Sequence, residues 1–156
     1  MADLEMVDLP PRLKEGIELL DRGLTFDAQT VFEGYLEAHP DSALALSFVG
    51  MLRACAGAPP SEGLDLCQQA VRQDPDEPLC YLNLAKAYMA NDDRYQCVRT
   101  IHRGLKYRSP HRQRLLDFYR TIGIRRKPPL PFLSRDNPLN EFLGRLTWRL
   151  RIGGGA

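Results

Sequence analysis

The sequence predicts an all-α protein built as a stack of antiparallel helix hairpins, and three observations favour this fold. Pro40, Pro75 and Pro110 lie 35 residues apart. Each proline follows a segment with helical periodicity, and another such segment precedes that one, so the unit is helix, turn, helix and stop. Small residues recur at matching positions of the paired helices, where they let the two helices cross closely.

The second helix of each unit is predicted over residues 26–38, 62–73 and 94–107. Proline ends each unit because it lacks a backbone N–H and clashes with the preceding turn. A further helix is predicted over about 110–122, beginning at Ser109 and Pro110. Its apolar stripe is expected to cover the last hairpin and consists of Leu115, Phe118, Tyr119 and Ile122.

Several oxygen-bearing side chains precede the helical segments and are predicted to cap them. The candidates are Thr25, Asp41, Ser61 and either Asp92 or Asp93. Asp74, Asp76 and Glu77 stand at another helix start, where carboxylates suit the positive end of the helix dipole. We therefore interpret these three carboxylates as capping groups.

The third unit carries the clearest motif, which consists of Tyr81, Leu84, Ala85 and Tyr88, then Cys97 and Ile101, then Pro110. This resembles the tetratricopeptide pattern aromatic-x-x-Leu-Gly-x-x-Tyr, then Ala-x-x-x-Phe, then Pro. The second unit offers Leu46, Val49, Gly50, Gly63, Cys67, Ala70 and Pro75, and the first offers Gly16, Leu19, Ala28, Phe32 and Pro40.

The resemblance covers about residues 9–110 as three repeats and implies a right-handed superhelical stack, an α-solenoid. Two departures stand out. The period of 35 is one residue longer than that of the family, and Glu15 replaces the usual leucine. The first unit is therefore the most degenerate.

The predicted organisation has five parts. Residues 1–8 are a lead-in, 9–123 hold the three repeats and a capping helix, and 124–137 form a proline-rich extended segment. Residues 138–152 form an amphipathic helix, and 153–156 a disordered end. The tail is similar to one that follows the repeats in some uncharacterised bacterial members of the family. Its many apolar residues predict that it docks on its own repeats, either at the end of the stack or in the groove.

No constellation of residues in the sequence predicts an enzyme, a metal site or a cofactor. His39, His102 and His111 are scattered, and Cys55, Cys67, Cys80 and Cys97 include no Cys-x-x-Cys pair. We expect the cysteines to be buried free thiols, with Cys67 and Cys97 inert at hairpin-packing positions. Free thiols and an acidic N-terminus without a signal-like pattern favour the cytoplasm.

The first helices of the hairpins are expected to line a concave surface, which in the family is the usual peptide groove. Spacing places ten residues there: Leu13, Ile17, Leu20, Leu44, Ser47, Met51, Leu79, Leu82, Lys86 and Met89. The alternative is that about half of them are core between hairpins. Chaperone-tail binding is not expected, because Asn83 and Lys86 alone resemble the basic clamp that it uses.

Positive charge is concentrated in the second part of the chain. Residues 1–96 carry 17 acidic and 7 basic side chains, whereas residues 97–156 carry 3 and 14. The predicted basic surface comprises Arg99, Arg103, Lys106, Arg125, Arg126 and Lys127. Such a surface binds nucleic acid or anionic membrane, is simply solvated, or meets the acidic part of another copy head to tail.

Taken together, these features predict a non-enzymatic adaptor or scaffold. Its apolar groove would take a peptide or a helix from a partner protein. The alternative is a binder of nucleic acid or of an anionic membrane surface through the basic C-terminal part.

Overall fold

The computed structural model describes residues 9–57 and 60–122, and these form seven α-helices. They are α1 (Pro11–Asp21), α2 (Thr25–Ala38), α3 (Ala43–Cys55), α4 (Pro60–Gln73), α5 (Pro78–Ala90), α6 (Arg94–Gly104) and α7 (Arg112–Thr121). The described ranges contain no strand. The predicted all-α class is therefore confirmed for this part of the chain.

The helices pack in chain order. α1 contacts α2, α3 contacts α4, and α5 contacts α6, and the connection within each pair is only three or four residues long. Connections this short make the paired helices antiparallel hairpins. α3 also packs on α2 and α5, α4 packs on α5, and α7 lies against α5 and α6. The predicted hairpins and the covering helix are thus present.

Of the predicted caps, Asp93 and Glu77 are confirmed, and α5 is capped by Glu77 rather than by Asp74 or Asp76. The carboxylate of Asp93 accepts a hydrogen bond from the backbone N–H of Gln96 at 2.9 Å, at the start of α6. The carboxylate of Glu77 accepts one from the backbone N–H of Leu79 at 2.8 Å, at the start of α5. Each carboxylate satisfies an N–H group that has no partner inside its helix.

Three other predicted caps are wrong. Ser42, not Asp41, precedes α3, and its hydroxyl accepts from the N–H three residues further on. Thr25 is the first residue of α2, which begins after Leu24 without a side-chain cap. Ser61 lies inside α4, because that helix already begins at Pro60. Proline is well tolerated at the first helical position, since the N–H that it lacks would have no partner there.

The connection between α6 and α7 is longer than predicted at both ends. α6 ends at Gly104, where the N–H of Lys106 bonds to the carbonyl of Arg103 in a tight turn. α7 begins at Arg112 rather than at 110. Ser109 and its proline belong to the connection, and the Ser109 hydroxyl accepts from the N–H of His111 at 3.2 Å. The predicted helix over 94–107 was therefore three residues too long.

The core runs along the hairpins and holds the small residues of the motif. Ala28, Ala85 and Cys97 are fully buried, as are Phe32 and Ile101. The α7 stripe is confirmed: Leu115 is buried, and Phe118, Tyr119 and Ile122 pack partly buried against the same core. Among the helices described, none has the length and apolar character needed to cross a membrane.

Several predictions fall on residues outside the described ranges. These are the lead-in 1–8, the extended segment 124–137, the helix 138–152, the end 153–156 and the docking of the tail. The basic residues Arg125, Arg126 and Lys127 belong to the same part of the chain.

Candidate functional site

The predicted groove is only partly a surface. Six of its ten residues are buried, namely Leu13, Ile17, Ser47, Met51, Leu79 and Leu82. The other four, Leu20, Leu44, Lys86 and Met89, are partly exposed. The interpretation of all ten as an open groove is therefore wrong, and the alternative of a shared core between hairpins holds for the six.

A polar contact shows how closely the helices of this region pack. The side-chain amide of Asn83 in α5 donates to the hydroxyl of Ser47 in α3 at 2.9 Å, and both residues are fully buried. The Ser47 hydroxyl in turn donates to the carbonyl of Leu44 at 2.7 Å. A buried amide needs such partners, because leaving it unpaired costs free energy. This pair joins the second hairpin to the third.

Three charged side chains and one cysteine thiol, from four helices, interact electrostatically. We call Asp21, Cys55, Lys86 and Arg114 the inner charged cluster. A guanidinium nitrogen of Arg114 in α7 lies 2.8 Å from a carboxylate oxygen of Asp21 at the end of α1. Lys86 of α5 interacts electrostatically with all three other members. One side chain of α7 thus reaches the first hairpin.

Lys86 is electrostatically unfavourable in this position. Burial lowers the pKa of its ammonium group, and the nearby positive charge of Arg114 lowers it further. Asp21 and Cys55 act in the opposite direction, but they do not reverse the shift. Because burial removes part of the water around this ammonium group, the binding of additional hydrogen-bond acceptors to it is favourable.

The predicted basic surface divides into two. Arg99 and Arg103 are exposed on α6, as predicted. Lys106 lies beyond the end of that helix and lines a separate cavity with Arg108 and Arg112. Arg99 and Arg103 thus lie on α6, whereas Lys106 lies in the connection that follows it.

Two clefts occupy equivalent places in successive hairpins. The first cleft, of about 460 Å³, lies among α2, α3 and α4, and the second cleft, of about 290 Å³, lies among α4, α5 and α6. Five pairs of lining residues stand 35 positions apart: Glu33 and Gln68, Leu36 and Val71, Glu37 and Arg72, Val49 and Leu84, and Arg53 and Tyr88. The sequence period is thus also a period of the structure.

The same cross-helix contact recurs in both clefts. A guanidinium nitrogen of Arg53 lies 3.3 Å from a carboxylate oxygen of Glu33, and the side-chain amide of Gln68 donates to the Tyr88 hydroxyl at 3.1 Å. Sequence reasoning missed Gln68 and Arg72 as cleft residues. The signal that could have found them was the 35-residue period, applied to the surface positions as well as to the motif positions.

The four cysteines differ in burial. Cys67, Cys80 and Cys97 are buried free thiols, as predicted, whereas Cys55 is exposed, which the prediction did not expect. Burial raises the pKa of Cys67 to about 12 and that of Cys97 to about 11. In the described residues, no group of three or more His, Cys, Asp or Glu side chains could hold a metal ion.

His111 and Glu77 form a buried pair between α7 and α5. The ring N–H at Nδ1 of His111 donates to the Glu77 carboxylate at 2.9 Å, and the same carboxylate caps α5. The other ring nitrogen, Nε2, is buried and has no hydrogen-bond partner in the described part of the chain. The pair fixes the start of α7 against the start of α5.

Comparison of the sequence with protein-family models and with curated proteins gives no match. The described part of the chain is therefore characterised by its own geometry, as an all-α domain in which helix hairpins pack in chain order and contacts repeat every 35 residues.

Proposed function

We propose that the chain is a helical-repeat adaptor of tetratricopeptide type that binds a segment of another protein. The observation that carries the proposal is the recurrence of equivalent side-chain contacts 35 residues apart, Arg53 with Glu33 and Gln68 with Tyr88. Arrays of this kind build extended surfaces from repeated hairpins, and binding is their usual use. In this proposal the hairpins follow a right-handed superhelical path.

The proposed contact surface is the partly exposed remainder of the predicted groove together with the inner charged cluster. Leu20, Leu44 and Met89 offer apolar contact, and Lys86 and Arg114 offer donors. A peptide or helix with apolar side chains and at least one acceptor near Lys86 would suit this surface. Its approach would supply acceptors that the partly desolvated ammonium group lacks.

The experiment is site-specific photo-crosslinking in the native cell with the full chain. A diazirine-bearing lysine analogue replaces Lys86, and the matched control carries it at Glu62, an exposed position in the first turn of α4. We expect the analogue at position 86 to crosslink to one discrete protein. We expect that this protein is not crosslinked by the analogue at position 62. Identical products from both positions would contradict the proposed surface.

A charge-reversing variant provides the second readout. Lys86→Glu should abolish capture of the protein identified at position 86, while Glu62→Lys should leave capture unchanged. Unchanged capture by Lys86→Glu, with the fold verified by circular dichroism, would show that the contact surface lies elsewhere.

A further inference from the structure

The second cleft differs from the first in charge. Its lining contains Arg72 from α4 and Arg99 and Arg103 from α6, and none of its described lining residues is a carboxylate. The first cleft contains Glu33 and Glu37. Arg72 stands at the position equivalent to Glu37, so the packing of a hairpin repeat does not by itself require an arginine there.

The three arginines of the second cleft have no carboxylate partner among the described residues. Within the described part of the chain, none of them forms an ion pair, whereas Arg12, Arg53, Arg114 and Arg120 each pair with a carboxylate. The Arg103 guanidinium lies 5.9 Å from the centre of the Tyr81 ring, which restricts its position. Three arginine side chains that line one cleft concentrate positive potential there, which favours the binding of an anion.

The remaining polar groups of the second cleft add donors. Gln68 and Gln96 carry amides, and Tyr88 and Thr100 carry hydroxyls. Thr100 is almost fully buried. Three guanidinium groups with hydroxyl and amide donors suit a doubly charged tetrahedral anion, because arginine binds phosphate oxygens in a bidentate manner.

We propose that the second cleft binds a phosphate monoester carried on a protein segment, that is, a phosphorylated side chain of a partner. A phosphate monoester carries about 1.5 to 2 negative charges near pH 7, whereas a carboxylate carries one. The inference that a protein carries the phosphate rests on the proposed function. The inference that a phosphate binds rests on the second cleft alone.

The geometry favours one compact anion over a polymer or a surface. Nucleic acid requires a continuous basic track and several stacking aromatic rings, but among the described residues that line the second cleft Tyr88 is the one aromatic side chain. A membrane surface requires protruding apolar side chains beside the charge. The lining of the second cleft is predominantly polar instead.

The test uses the full chain and a fluorescein-labelled seven-residue peptide with one phosphoserine among glycine and alanine, at 0.1 M salt. Its unphosphorylated version, inorganic phosphate, a ten-residue oligouridylate and phosphatidylcholine vesicles with one-fifth phosphatidylserine are the other probes. We expect the phosphopeptide to bind at least about tenfold more tightly than the unphosphorylated peptide, and inorganic phosphate to compete with it.

Variants locate the site. Arg99→Gln should weaken phosphopeptide binding about tenfold, and Arg72→Glu, which installs the acidic residue type of the first cleft, about thirtyfold or more. Arg108→Gln is the matched control, because it removes the same charge from an exposed arginine outside the second cleft. It should change the affinity less than twofold. Thermal unfolding of each variant verifies the fold.

Several outcomes would overturn the proposal. Equal losses in Arg99→Gln and Arg108→Gln would mean unspecific attraction to positive charge. Tighter binding of oligouridylate or of vesicles, sensitive to Arg99, would assign the cleft to those partners. If inorganic phosphate binds as tightly as the phosphopeptide, the peptide contributes nothing to affinity, which would contradict the inference that a protein carries the phosphate. Since crosslinking at Lys86 does not involve this cleft, a failure here and a failure of the proposed function remain distinguishable.

Discussion

Gly50 of α3 and Gly63 of α4 hold their helices so close together that a Cβ atom on Gly63 would lie 2.6 Å from the carbonyl oxygen of Gly50. The other obstructing atoms are the N–H nitrogen of Ala54 at 2.6 Å and its Cβ at 2.8 Å, neither of which a side-chain rotation can move. Neither helix can relieve the contact by changing a rotamer. This crossing therefore requires glycine for space.

Gly63→Ala should destabilise the protein by about 2–3 kcal/mol, because the helices must separate to admit the methyl group. Gly34→Ala is the matched control, since a Cβ at Gly34 on the exposed side of α2 meets nothing within 4 Å. That substitution should stabilise by up to about 1 kcal/mol, as alanine favours a helix interior. Urea unfolding of both variants measures the difference. Equal effects would refute the close crossing.

The four cysteines should react with a thiol reagent at very different rates. In the folded protein at pH 8, Cys55 should be labelled first, and Cys55→Ser should remove the rapid phase. Cys67 and Cys97 should react slowly, because they are buried and their pKa values are raised to about 12 and about 11. Mass spectrometry of timed samples gives the rates. Labelling of Cys67 as fast as that of Cys55 would contradict its burial.

Lys86→Met should stabilise the protein at neutral pH by an amount on the order of 1 kcal/mol, since it removes a partly desolvated charge. The pKa of Lys86 is lowered in the folded state, mainly by burial. The charged Lys86 therefore destabilises the folded protein fully at pH values below its pKa in the folded state. This destabilisation is lost as the pH rises towards 10.5, the ordinary lysine value.

The stability gap between the wild type and Lys86→Met should accordingly narrow at alkaline pH. Urea unfolding of both proteins at pH 7 and pH 10 measures it. Lys106→Met, at an exposed position, provides the control for the loss of a lysine charge as such. If the difference in unfolding free energy between Lys86→Met and the wild type grows with pH, it would contradict a lowered pKa for Lys86.

Glu77→Ala should cost about 2–4 kcal/mol, because it removes both the cap of α5 and the partner of the buried His111 ring. Glu77→Gln should cost less, since an amide oxygen can still accept from the backbone N–H. Glu62→Gln, at an exposed position, should be neutral. Thermal unfolding ranks the three variants. Equal midpoints for Glu77→Ala and Glu62→Gln would show that the pair contributes nothing.

Head-to-tail association of the acidic and basic parts of the chain stays a prediction. The ion pair between Arg114 and Asp21 already joins the two parts within one chain. Any remaining attraction between copies should appear at low ionic strength and disappear above about 0.1 M salt, where the Debye length is ~10 Å. Sedimentation velocity at 20 mM and 300 mM salt tests this. A protein that is monomeric at both salt concentrations would contradict head-to-tail association.

The number and order of the described helices could be predicted from the sequence, because hydrophobic periodicity and proline positions act within one helix or one hairpin. The crossing of Gly50 and Gly63 could be predicted for the same reason. Helix ends were less predictable. The start of α7 depends on the contact of His111 with Glu77, a residue 34 positions earlier in the chain.

The character of the surfaces was decided by tertiary structure. Periodicity places Ser47 and Leu82 on the inner side of their helices, but the packing of α3 on α5 determines that this side is buried. The second cleft exists only because stacking brings Arg72 of α4 beside Arg99 of α6. Periodicity specifies which face a residue shares within its own helix, whereas the angle and distance between hairpins determine whether that face meets protein or solvent.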